Sequence, residues 1–282
     1  MYYGIDISHW NGNVDFSKIG KAFVIAKLSQ AQGKDSKFDT YYTACNVPIG
    51  AYIYNKVKSI EDAKKEANFA VNALNGRRLP MGIWLDMEDS SMRRLGKAML
   101  TEIINTEAGI LRAAGYKVGI YCNKDWYSNV LDSATLAQSF PFWIARYPAS
   151  DNGTIKESLN PSGLAGCVIW QYSSKGKVNG ISGNTDLNVA FVEPTEIFTQ
   201  AKEPVAQKPR TLIIGTLGKE VEELQRFLIE QGFNPGKVDG IYGVKTADAV
   251  RKYQADWNNR HPENKLAVDG KWGPLTQATV GK

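Results

Sequence analysis

The chain has 282 residues, 43% hydrophobic and 22% charged, with a net charge of +5. These values fit two unequal globular domains and exclude collagen, coiled coil and long disorder. No apolar run approaches the roughly 18 residues of a membrane span, and the positive excess forms no concentrated basic stripe of the kind nucleic-acid binding requires. The opening Met1-Tyr2-Tyr3-Gly4-Ile5-Asp6 shows neither a basic nor an apolar leader, so the chain reads as made in a cytoplasm without a signal peptide.

In chain order, short β-branched or aromatic runs alternate with helix-like segments. The runs are 4–8, 23–29, 49–55, 82–88, 117–123, 140–147, 167–172 and a short last one at 185–188. Between them, Ser59 can cap a helix whose Ala63, Ala67, Ala70, Val71 and Leu74 share one face. A second helix, about 94–114, stops at Gly115. Repeated strand, helix, strand order predicts an α/β fold with a mostly parallel sheet. About eight strands in some 190 residues, with later connections too short for full helices, predict an irregular (β/α) barrel rather than an open sheet.

A polar, proline-bearing stretch at 199–212 reads as a linker, dividing a domain 1–198 from a small helical domain 213–282. In the second part, Val238-Asp239-Gly240-Ile241-Tyr242-Gly243-Val244-Lys245-Thr246 recurs thirty residues later as Val268-Asp269-Gly270-Lys271-Trp272-Gly273-Pro274-Leu275-Thr276, and Val250 pairs with Val280 at the same offset. Each copy reads as an Asp-Gly turn, an aromatic, a glycine and a threonine able to cap the next helix. Val221, Leu224, Phe227 and Leu228 form an apolar helical face ahead of the first copy.

Four acidic residues stand at or just beyond predicted strand ends: Asp6, Asp86, Glu88 and Asp186. With a side-chain period of two, Asp86 and Glu88 project to one face about 7 Å apart while Leu85 and Met87 turn into packing. Two such carboxylates repel, so one retains its proton towards neutral pH beside an ionised partner, which is what glycosidic cleavage needs. Among the aromatics that could flank sugar rings, Trp10, Tyr54, Tyr121 and Tyr172 sit nearest the strand ends, while Tyr52, Trp84, Trp143 and Trp170 could equally be core. His9 lines the groove or bonds locally.

Other chemistries lack material. The two histidines, His9 and His261, have no Cys or His at ligand spacing, so no metal or other cofactor is expected. Cys45, Cys122 and Cys167 are an odd set and read as free thiols. Neither a nucleophile elbow nor a phosphate-cradling loop occurs. A mildly basic chain is still drawn to an acidic polymer such as a cell wall.

The segments Gly4-Ile5-Asp6-Ile7-Ser8-His9-Trp10-Asn11-Gly12, Trp84-Leu85-Asp86-Met87-Glu88, Trp170-Gln171-Tyr172-Ser173 and Gly180-Ile181-Ser182-Gly183-Asn184-Thr185-Asp186-Leu187-Asn188 resemble, in order, glycoside hydrolase family 25. The resemblance covers about residues 1–192. It implies an irregular α/β barrel that cuts the β-1,4 bond after N-acetylmuramic acid in peptidoglycan, with Glu88 as general acid and Asp6, Asp86 and Asp186 around the cleavage point. Sugar contacts are assigned to Trp10, Tyr54, Tyr121, Trp170 and Tyr172. Where many members carry Ala-Thr-Glu-Gly, this chain has Leu28-Ser29-Gln30-Ala31.

From about Gly215 to Val280 the chain is similar to the small three-helix peptidoglycan-binding domain, through the two Val-Asp-Gly repeats. Barrel, linker and wall-binding module in this order resemble a phage endolysin or a bacterial autolysin. Together with the free thiols and the absent leader this leads to the expectation of an endolysin released onto the Gram-positive cell wall through a partner's membrane pore. The catalytic route is open at this level: the substrate's 2-acetamido carbonyl attacks while Asp86 orients it, or a carboxylate attacks directly. The rival readings are a barrel that binds wall glycan without cutting, and an amidase or peptidase acting on the stem peptide.

Overall fold

The computed structural model of the chain describes residues 1–200 and 211–280. They fall into two compact units, Met1–Pro204 and Val205–Lys282. Most of the stretch read as a linker, 199–212, lies outside the described residues.

In the first unit nine strands form one sheet: β1 (Tyr2–Ile7), β2 (Phe23–Gln30), β3 (Gly33–Lys34), β4 (Ile49–Tyr54), β5 (Ile83–Asp86), β6 (Val118–Asn123), β7 (Phe142–Ala145), β8 (Cys167–Gly176) and β9 (Thr185–Ala190). Their order is β1-β9-β8-β7-β6-β5-β4-β2-β3, and a further pairing of β1 with β2 closes a barrel of eight strands, leaving the two-residue β3 as a flap on β2. The pairings β1–β2, β2–β4 and onwards to β7–β8 are parallel; β9 runs antiparallel to both β8 and β1.

Full helices cover only part of the wall: α1 (Phe38–Ala44), α2 (Ile60–Leu74) and α3 (Gly96–Ala113), followed by the short α4 (Ser133–Leu136) and α5 (Ile197–Gln200). Ser59 caps α2, its hydroxyl accepting from the Asp62 N–H at 3.1 Å, and Ala63, Ala67, Ala70 and Leu74 are buried at helical spacing. The helix expected from Arg94 begins instead at Gly96, because a 3-10 turn, Ser90–Leu95, occupies the preceding residues. It closes before Gly115, whose φ of +87° suits glycine. Later crossovers are single turns, such as Trp126–Val130 and Glu157–Leu159.

Strand parity divides the burial into two layers. Ile5, Ile7, Val24, Ala26, Ile53, Leu85, Ile120, Ile144 and Val189 face outward into one large core shared with the helices. The alternate residues Phe23, Ile25, Trp84, Tyr121, Trp143 and Ile169 fill the barrel with a second, aromatic core, closed at one end by Met81 and by Ile197 of α5. Two interior positions are glycine because those large side chains take the space. A Cβ on Gly119 would lie 2.5 Å from Trp84, and one on Gly4 would lie 2.4 Å from Phe23.

The second unit is built from α6 (Lys219–Glu230), α7 (Val244–Arg260) and the four-residue α8 (Pro274–Gln277). Its two halves repeat in polar detail. Gln225 Nε2 donates to Asp239 Oδ1, the Ile241 carbonyl and Thr246 Oγ1, and Gln254 Nε2 donates to Asp269 Oδ1, the Lys271 carbonyl and Thr276 Oγ1. Both glutamines are 1% exposed. The threonines therefore do not cap their helices: Gly243 and Gly273 occupy the cap positions, and the buried hydroxyls answer a glutamine that motif spacing left unnoticed. Tyr242 and Trp272 are core residues. Val250 is buried and Val280 exposed, so the matched residues occupy different environments. Among the described residues no helix is long and apolar enough to cross a membrane.

Candidate active site

The polar end of the barrel interior is a cleft of about 360 Å³. Asp6, Trp10, Tyr54, Asp86, Glu88, Tyr121 and Asp186 all line it. Asp6 ends the inward row of β1, Asp86 is the last residue of β5, and Asp186 lies on β9 directly opposite Asp6. Glu88 stands beyond the strand, yet it shares the face of Asp86, because the extended path continues. The Met87 N–H donates to the Tyr121 carbonyl at 2.8 Å, and Met87 itself is buried in the outer core.

Trp10 sits on a 3-10 turn, His9–Asn11, whose entry Ser8 caps. It is 83% exposed at the rim. His9 turns away to Asp35, with Nδ1 2.7 Å from Oδ2, which settles its role as local anchoring of that turn.

Two expected sugar contacts are corrected. Trp170 and Tyr172 point through the outer face of β8 into the helix-covered core, and the Trp170 indole donates to the Arg146 carbonyl at 2.7 Å. Alternation makes this unavoidable: if they face outward, the residue between them, Gln171, faces in.

Gln171 is one of several site residues that the sequence reading missed. The Tyr121 hydroxyl donates to Gln171 Oε1 at 3.0 Å, which directs Gln171 Nε2 to Asp6 Oδ2 at 2.9 Å. On the other side the Trp143 indole donates to Asn188 Oδ1, so Asn188 Nδ2 donates to the same Asp6 oxygen, both at 2.8 Å. Each aromatic thus fixes an amide, and two amides fix one carboxylate. Asn188 was findable as the inward residue two after Asp186. Lys27, in the middle of an apolar strand, and Asn123 gave no such signal; Asn123 accepts from the Trp126 N–H with Oδ1 and hydrogen-bonds Glu88 with its amide.

Burial sets the electrostatics. Desolvation pushes Asp6 and Asp186 upward, and the two hydrogen-bond each other. The amide donors of Asn188 and Gln171 favour the carboxylate of Asp6, whereas the charge of Asp6 raises Asp186 further. The shared proton therefore rests on Asp186. Asp86 is raised well above the usual carboxylate range, first by burial and then by Glu88, with Lys27 opposing. Its Oδ1 is buried without a hydrogen-bond partner. Glu88 is raised as well, by burial, against the hydrogen bond from Asn123. The cleft thus holds one amide-fixed carboxylate, one neutral acid, and a carboxyl pair in which burial and repulsion retain a proton. Among the described residues no three His, Cys, Asp or Glu side chains converge as metal ligands.

A closed barrel with four acidic residues gathered at one end of its lumen defines a class, and comparison with known proteins agrees. Residues 5–181 match the family Glycosyl hydrolases family 25, so the chain belongs to that family of glycoside hydrolases. Residues 218–280 match the peptidoglycan binding domain.

The chain is 30% identical over 203 residues to Lysozyme M1 of Streptomyces globisporus, covering 66% of each protein and so just under two thirds of that relative's length. It is 28% identical over 286 residues to the autolytic lysozyme of Clostridium acetobutylicum, covering 98% of this chain and 78% of that one. The crystal structure of a bacterial lysozyme from Streptomyces coelicolor matches with a TM-score of 0.57 at 25% identity, covering 72% of this chain and 98% of the other.

Proposed function

We propose that this chain is a lysozyme that hydrolyses the β-1,4 bond between N-acetylmuramic acid and N-acetylglucosamine in Gram-positive peptidoglycan, with Glu88 as the general acid. The observation that carries the reading is the pair of carboxyls, Asp86 and Glu88, lining one cleft of a family 25 barrel. Glu88 is the more accessible of the two and Asp86 is 4% exposed, so Glu88 is the one able to reach a leaving-group oxygen in solvent-facing substrate. The match of the second unit to a wall-binding family supports the substrate.

In this reading the Glu88 proton passes to the glycosidic oxygen as the C–O bond breaks. The carbonyl oxygen of the 2-acetamido group closes on the anomeric carbon, and the Asp86 carboxylate accepts the acetamido N–H, which becomes more acidic as the ring forms. Water then attacks the anomeric carbon, gives its proton to Glu88, and the ring reopens. Trp10 at the rim and Tyr54 in the wall offer flat faces to neighbouring sugars.

Digestion of purified Gram-positive peptidoglycan, followed by borohydride reduction and mass spectrometry, tests the bond and the acid together. Wild type should yield reduced muramic acid, and Glu88→Gln should lose roughly 100-fold or more of that activity. Free amines instead of sugar ends would mean an amidase or peptidase, and no new ends from wild type would mean a binder.

The finer biological setting in this reading is an endolysin, supported by three free thiols at Cys45, Cys122 and Cys167 in a protein destined for the wall. Expression inside a Gram-positive host should then leave cells intact until a pore-forming membrane protein is co-expressed; lysis by this chain alone would point to an autolysin with its own export.

A further inference from the structure

The cleft contains one cationic side chain, Lys27. It lies on the inward face of β2, level with Tyr52 of β4. Its Nζ donates to Gln30 Oε1 at 2.8 Å and stands 4.9 Å from the ring centroid of Tyr54. Both partners are uncharged, and among the described residues Lys27 makes no direct ion pair with any carboxylate. Burial pulls the Lys27 ammonium below the usual lysine range, but with a neutral amide and a ring face as its partners no adjacent anion cancels its charge within the cleft.

The field falls on Asp86. Of the acidic groups that act on Lys27, Asp86 is the strongest and Asp35 follows, with Lys56 opposing; Asp35 is already engaged by His9. Around Asp86 the other charged or titratable neighbours are Glu88 and Asp89 beyond its own strand and Asp6 on β1. Tyr52 and Tyr54 face it from β4, and Tyr121 and Cys122 belong to β6. Every one of these except Lys27 is acidic or neutral, and Asp86 Oδ1 has no hydrogen bond to stabilise its charge.

We propose that Lys27 is the positioning cation of the cleft: held by Gln30 and Tyr54, it opposes the burial and the Glu88 charge that keep a proton on Asp86, and so eases ionisation of Asp86. The neutrality of Gln30 is part of the device. An acid at that position would sit on the ammonium and cancel it. The β2–β3 hairpin presents Gln30, and a buried carboxylate braces that hairpin: Glu66 accepts from the Ser29 hydroxyl at 2.9 Å and from the Gln32 N–H at 2.7 Å.

This inference rests on the roles of Asp86 and Glu88 given above, and a pH profile of kcat/KM on purified peptidoglycan separates the two. Activity requires ionised Asp86, so loss of the cation raises the pH at which the acidic limb falls. Lys27→Met should move that limb up by about one pH unit and lower kcat near neutrality several-fold, with KM nearly unchanged. Lys27→Arg should restore most of the profile, and Gln30→Glu should move the limb in the same direction as Lys27→Met with the lysine still present. Thermal melting checks that each variant folds; if Lys27→Met does not, Gln30→Glu and Lys27→Arg decide. An unmoved limb in Gln30→Glu or Lys27→Met, or a loss uniform across pH, overturns the role of Lys27. A wild type that releases no reducing ends would sink the lysozyme reading itself.

Discussion

Glu107, on α3, is the residue whose burial has the plainest consequence outside the cleft. It is completely buried; Asn55 donates to its Oε2, and Oε1 has no partner. Desolvation raises it from an ordinary value of 4.5 to about 8. Because the folded state keeps this proton after the unfolded chain has released it, the stability it contributes is complete below about pH 4.5 and is lost progressively as pH rises through about 8. Thermal midpoints should therefore fall from pH 5 to pH 9 in the wild type, and Glu107→Gln, which keeps the shape without the titration, should flatten that decline. An equal slope in both proteins would place the alkaline sensitivity elsewhere. The four acidic site positions were legible in the sequence because carboxylates at strand ends stand out against apolar runs. Lys27 and Glu107 were not, since a single charged residue in an amphipathic pattern reads as solvated until the tertiary fold buries it.

At the scale of elements, the β2–β3 hairpin carries local strain that sequence reading passed over. Gln30 pairs with Gly33, so the loop has two residues, Ala31 at φ +49° and Gln32 at φ +59°. Both are left-handed, the geometry of a tight hairpin that asparagine and glycine favour. The Gln32 N–H bond to Glu66 holds the chain there, and that backbone bond survives any side-chain change. Gln32→Gly should thus raise stability, on the order of 1 kcal/mol, seen as a higher urea midpoint at unchanged slope. A lower midpoint would show that the side chain, not the backbone, secures the turn. Elsewhere elements followed their local signals: the Ser59 cap, the alanine face of α2 and the stop at Gly115 act over a single helical turn, and their neighbours in sequence are their neighbours in space. Strand β8 did not, because its aromatic pair Trp170 and Tyr172 advertised a groove while parity sent Gln171 there instead.

At the scale of the whole molecule, a barrel and a unit related to wall-binding domains share one chain. Joining them raises the barrel's local concentration at the wall without adding any contact in the cleft. Ending the chain after Thr199 should therefore reduce clearing of whole cell walls by roughly tenfold or more while soluble glycan fragments are cut at nearly the original rate. Equal loss on both substrates would make the second unit a requirement for folding or catalysis. The sequence alone determined the α/β alternation, the number of barrel strands, the internal repeat and the four carboxylates, since each is written in local periodicity or in composition at element ends. Only the tertiary structure decided which amides fix Asp6, that Asp186 opposes it across an antiparallel pair, that Lys27 lines the same cleft as Asp86, and that Gln225 and Gln254 tie the repeat together. Those relations join residues far apart in the chain, and closure of the sheet, not any local preference, brings them within hydrogen-bonding or Coulombic reach.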